Sequence, residues 1–148
     1  MQFFSLKTPR DMLDKARREH ARLQASHDID NVFNFFVTAH HIRDYVLKTQ
    51  AVAQVVLEEF LKSEAQQDCR NLCNKGKHLT LTQVPVDPST ITISFGGSLG
   101  LSPLGLSPLG LGPTDVWMLS DGTRSVYVRH LADTVMAEWE QFFLEHGL

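Results

Sequence analysis

A chain of 148 residues has room for one domain and can bury enough of its own surface to hold a core without disulfide or metal staples. Hydrophobic residues make up 43% and charged residues 21%, proportions that exclude wholesale disorder. The formal charge of −3 excludes a protein that coats nucleic acid by bulk electrostatics and leaves only a local basic patch for such a partner.

Thr8-Pro9 opens the first helix: Thr8 can cap it, Pro9 suits the first helical position, and Asp11 and Asp14 sit near its positive end. Met12, Leu13, Ala16 and Leu23 form its apolar stripe, with Lys15, Arg17, Arg18 and Arg22 on a solvated face. Ser26 or Asp28 caps a second helix that runs to about Lys48. Its apolar residues, from Ile29 to Leu47, cover most of the circumference, which predicts a central place in a bundle. A third helix is expected from Ala51 to about Ser63. A fourth should run from about Ala65 to Lys75 and end at Gly76, a residue suited to a C-terminal cap.

The period then switches to two. Leu79 and Leu81 alternate with threonines, as do Ile91, Ile93 and Phe95 with Thr92 and Ser94; Pro85 to Pro88 reads as the turn of a hairpin between them. Val116–Leu119 and Ser125–Val128 form a second hairpin around Asp121-Gly122. A last helix, His130 to His146, carries Leu131, Val135, Trp139, Phe142 and Phe143 at helical spacing, and Gly147 ends it. The fold class expected is α+β, predominantly α: a bundle of about five helices with one or two β-hairpins before the last, all in one domain spanning 1–148.

Within residues 96–114 lies a five-residue repeat, Leu99 to Pro103, Leu104 to Pro108 and Leu109 to Pro113. Its regular prolines exclude helix and its glycines weaken strand. A tandem expansion in a tolerant loop explains it; an apolar arm at 99–113 that packs on a protein partner or a second copy is the sharper alternative. No apolar run approaches the ~20 residues that span a bilayer, so no membrane partner is expected. Cys69 and Cys73 lie four apart on a helix, where a disulfide would be strained. Without a secretory leader they are expected to be reduced thiols in a cytoplasmic protein, and a lone Cys pair is a poor start for a metal site.

The chemistry gathers in two places. On the second helix, Asp30, Asn34, Thr38 and His41 fall on one outer arc, whereas His40, Arg43 and Asp44 fall inside the apolar arc between Phe33, Phe36 and Leu47. Buried charges are costly unless paired, and His40 and Asp44, four apart, can meet. On the fourth helix Asn71, Asn74 and His78 stand at i, i+3 and i+7, with Arg70 at the edge and Lys75 and Lys77 flanking. Asparagine is a poor helix former, so its repetition beside a histidine suggests hydrogen-bonding work, either structural or toward a ligand. A divalent metal shared by His40, His41 and Asp44 is disfavoured because adjacent helical residues point about 100° apart; no cofactor is implied.

The segments Asp30–Val46, with Asn-Phe-Phe-Val-Thr-Ala, and Cys69–Leu81, with asparagines leading into Lys-His, resemble a family of uncharacterised bacterial helical-bundle proteins. More distantly they are similar to the HEPN superfamily, whose members occur in toxin–antitoxin, antiphage and phage-related defence systems, and many of which resemble metal-independent ribonucleases. The signature there is an Arg, a polar residue and then a His; the matching positions are Arg70, Asn71 and His78. The resemblance implies His78 as general acid or base, Arg70 stabilising phosphorane charge, Asn71 orienting the phosphate, and a site assembled across a dimer. This chain departs from the pattern in having seven residues between Arg70 and His78, with Gly76 expected to break the helix between them.

Two functions follow. One is a non-catalytic helical binding or scaffold module in which His40, Arg43, Asp44, Asn74 and Lys77 belong to a polar cluster. The other is a HEPN-like ribonuclease acting through Arg70, Asn71 and His78, with RNA as partner.

Overall fold

The computed structural model describes residues 5–78, 89–95, 114–120 and 123–148, and the side chains among them of 5–75, 118–120 and 123–148. Helix α1 spans Pro9–Ala25. Its start is a full capping box: the Thr8 hydroxyl accepts from the Asp11 amide at 3.1 Å, and the Asp11 carboxylate accepts from the Thr8 amide at 2.9 Å. Helix α2, Ile29–Lys48, is capped by Asp28, whose carboxylate accepts from the Asn31 amide at 2.9 Å. Helix α3 is shorter than the sequence suggests, Gln54–Phe60, and Ala53 at its start supplies no side-chain cap.

Helix α4 runs Glu64–His78 and passes through Gly76 rather than ending there. A helical glycine costs roughly 1 kcal/mol relative to alanine, a penalty that a helix anchored by buried Ala65, Cys69 and Cys73 can absorb. Helix α5 covers Val128–His146, and Gly147, at φ 66°, takes the left-handed conformation that closes it.

The chain falls into two compact units, residues 1–81 with 129–148, and residues 82–128. In the first, α2 packs along α1 and α4 and touches α3. Its fully buried side chains include Leu13, Leu23, Phe35, Phe36, Ile42, Val46, Trp139 and Phe143. Each large side chain so buried contributes about 1.5–3 kcal/mol. Helix α5 is fastened to α1 by Arg17, which donates to both oxygens of Glu140 at 2.5 Å, and by His20 against Asp133 at 2.7 Å. Phe60 of α3 stacks on Trp139 and Phe142, with centroids at 4.6 and 4.5 Å.

Two expectations about α2 change. Phe33 and Leu47 are 41% and 46% exposed, so the apolar arc is narrower than the composition suggests. Thr38, expected on the outer face, is buried, and its hydroxyl accepts from the Lys15 ammonium at 2.9 Å. Lys15 also donates to the buried Glu19 at 3.0 Å, and Arg22 donates to the same Glu19 oxygen at 2.7 Å.

The second unit holds three strands, β1 (Ser89–Phe95), β2 (Thr114–Ser120) and β3 (Ser125–Tyr127), antiparallel in the order β1-β2-β3. The β2–β3 hairpin sits where the sequence placed it, with Leu119 opposite Val126. Strand β1 pairs with β2 across residues 96–113, with Ile91 opposite Met118; the partner expected for it, at 79–82, and the repeat itself lie outside the described residues. The described fold is therefore predominantly α with a small antiparallel β part. None of its described helices is long and apolar enough to cross a membrane.

Candidate functional site

The residues that line a cavity of about 160 Å³ come from consecutive parts of the first unit: His40 and Arg43 from α2, Glu58 from α3, Leu61 and Lys62 from the following turn, and Gln66, Gln67 and Arg70 from α4. His40 and Arg43 are three apart, and Gln66 and Arg70 four apart, so each helix presents its pair on a single face. The turn is held by Gln67, whose amide donates to the Leu61 carbonyl at 2.6 Å. Gln66 is buried, and its amide donates to Glu138 of α5 at 3.0 Å.

Three cations meet one carboxylate around this space. Arg43 sits 3.4 Å from Asp44, a long and weak contact. Lys62 pairs with Glu59 at 2.6 Å, but both side chains are exposed and such a pair is worth little. Glu58 accepts from Gln54 at 2.6 Å. Arg70 is half-buried, and among the described residues no carboxylate or carbonyl accepts from its guanidinium. Among the described residues the lining is thus cationic on balance and offers Arg forks, an ammonium and an imidazole, but no hydroxyl or thiol. The volume is below the ~300 Å³ at which drug-sized ligand sites begin, and is about that of five waters at ~30 Å³ each. A small oxyanion or the end of a larger anionic group is the size that fits.

The expected cluster is divided by the structure. His40, Arg43 and Arg70 come together at the cavity. Asp44 lies beside them in sequence but pairs with Arg43 and, at 4.0 Å, with His41; His41 itself donates from Nδ1 to the Val37 carbonyl at 2.7 Å. The His40 ring meets the His41 ring edge-on, 5.5 Å between centroids. Asn71 and Asn74 are half-buried on α4 and do not line the cavity. Positions 77 and 78 belong to α4, while the Lys77 and His78 side chains lie outside the described residues. On the inward face of α4, Cys69 and Cys73 form no disulfide and are fully buried; burial, and then the neighbouring Cys73, pushes the Cys69 thiol well above its ordinary value. Among the described residues no group of His, Cys, Asp and Glu is arranged to hold a metal ion.

Lys62, Gln66 and Gln67 escape a reading built on α2 and the far end of α4. The signal was there: Lys62, Gln66 and Arg70 recur every four residues, a polar stripe leading into the helix. Comparison with protein-family models, with curated proteins and with solved structures finds no match for the chain.

Proposed function

We propose that the helical unit is a non-catalytic binding module that seats an anionic group, of phosphate or carboxylate chemistry, in the cavity lined by His40, Arg43, Lys62 and Arg70. The observation that carries this reading is Arg70: a half-buried guanidinium without an acceptor among the described residues, aimed at a small cavity it shares with two further cations. A planar fork of donors matches an oxyanion bidentately, and partial burial strengthens the bond. Among the described residues the lining offers no hydroxyl or thiol as a nucleophile, and the cationic groups that dominate it suit holding an anion.

Titration of the protein with inorganic phosphate and pyrophosphate, followed by amide chemical shifts, tests it. Saturable shifts centred on residues 40–43 and 62–70 are expected, and Arg70→Glu should weaken binding by about tenfold or more. Absence of saturable binding, or equal affinity in Arg70→Glu, overturns the reading.

One observation favours a second reading, the metal-independent ribonuclease acting through Arg70, Asn71 and His78. Helix α4 continues without a break to position 78, so Asn71, Asn74 and His78 keep one helical phase. RNA cleavage in the presence of chelator, lost in His78→Ala, is the expected result; cleavage equal in the two proteins, or absent from both, rejects it.

A further inference from the structure

A second concavity in the helical unit has the opposite character. It is a groove of about 780 Å³ between Phe60 at the end of α3 and one stripe of α5, with Phe60, Ala137 and Phe142 supplying apolar walls and Asp133, Glu138 and Glu145 standing along it. Among the described residues no lysine, arginine or histidine lines it. Its α5 residues run from Asp133 to Glu145, twelve positions, or about 18 Å of helix at ~1.5 Å per residue. Each carboxylate keeps one oxygen without a partner among the described residues. Asp133 uses Oδ1 for His20 and Gln24, Glu138 uses Oε2 for Ser63 and Gln66, and Glu145 uses Oε1 for Gln141.

We infer that this groove docks an amphipathic helix of another protein, about three turns long, with apolar side chains facing Phe60 and Phe142 and lysines or arginines beside the carboxylates. Phe60 and the exposed Ala137 supply apolar surface for the aliphatic side chains of such a helix, with Phe142 packed beneath Phe60, the recurring way in which a helix is read by a groove. The carboxylates select the sign of the flanking charge and repel polyanions and anionic lipid surfaces. A second copy of this chain is a poor occupant. Its exposed large apolar side chains stand mostly beside acids: Ile29 and Phe33 by Asp30, Val55 and Val56 by Glu58 and Glu59, Leu144 by Glu145; among the described residues only Leu47 has a basic neighbour, Lys48. This inference rests on residues separate from the anion cavity and stands or falls independently of it.

The test uses the full chain and two labelled helical peptides of about 14 residues, identical in an apolar stripe of leucines and flanked by lysines in one and glutamates in the other. Fluorescence anisotropy should show saturable, salt-weakened binding of the lysine peptide only. Ala137→Arg, at an exposed α5 position in the groove, should weaken that binding about tenfold or more, and Glu145→Lys by a smaller factor. Both variants should keep the wild-type circular dichroism and the wild-type response to pyrophosphate. Failure of the lysine peptide to bind, equal binding of the glutamate peptide, or full affinity in a folded Ala137→Arg protein overturns the inference. Concentration-dependent dimerisation abolished by Ala137→Arg would overturn it in favour of a second copy.

Discussion

Glu19 carries a carboxylate into the α1–α2 interface, where only 5% of the residue reaches solvent. Burial pulls its pKa up, but hydrogen bonds from Lys15 and Arg22, with their charges, outweigh burial and hold it below the usual glutamate value. A carboxyl depressed in the folded state adds stability that is complete above its unfolded pKa, about 4.3, and is lost as pH falls through the lower folded value. Glu19→Gln should therefore cost about 1–3 kcal/mol at neutral pH and flatten the loss of stability on the acid side of pH 4, as read from urea denaturation at several pH values. The residue was legible in principle: Glu19 lies seven after Met12 on the arc that Met12, Ala16 and Leu23 make apolar. What no pattern of residues reveals is its company. Lys15, on what looked like a solvated face, bridges to Thr38 on another helix, and long side chains reach across phases that periodicity keeps apart.

Helix starts were readable because capping is local chemistry. Thr8 and Asp28 do what their side chains allow at the ends of α1 and α2. Thr8→Ala should lower the thermal unfolding midpoint, by an amount that corresponds to about 1 kcal/mol, while Thr8→Ser should change little. Helix ends and strand partners were harder. Gly76 has the residue type of a stop without acting as one, since a glycine closes a helix only where the chain then leaves it. Strand β1 was legible as a strand, yet its pairing with β2 spans residues 96–113, and nothing in a two-residue alternation states which of several alternating segments lies next door. The candidate site shows the same division. His40 and Arg43 follow from their place on the apolar arc of α2 and Arg70 from the resemblance and the edge of the asparagine face, whereas Lys62 reaches the cavity from the turn after α3 and Gln67 from the first turn of α4.

At the scale of the molecule, the helical unit is made from both halves of the chain, with the strands inserted between α4 and α5. Its closure depends on pairings such as Arg17 with Glu140, separated by 123 positions. Bringing residues that distant in sequence together costs loop-closure entropy before the contact stabilises anything. Both side chains are about two-fifths exposed, so screening limits the worth of the pair. A double-mutant cycle with Arg17→Ala and Glu140→Ala should give a coupling of about 0.5–1 kcal/mol at low salt that shrinks at ~1 M salt. If the pair forms after the transition state, the effect falls on the unfolding rate and leaves the folding rate unchanged, which stopped-flow kinetics of the single mutants reads directly.

The two thiols of α4 acquire a use from their position. Cys69 and Cys73 have no exposure in the folded protein, and Cys69 Sγ donates to the Phe36 carbonyl at 3.6 Å, so a disulfide reagent in the surrounding water meets neither sulfur until the α2–α4 seam parts. The chain thus contains its own clock. In the native protein, the rate at which such a reagent consumes the thiols should equal the intrinsic thiol rate multiplied by the fraction of time the seam is open. That rate should drop if a ligand tightens the unit, and rise in Glu19→Gln, with no added dye or label.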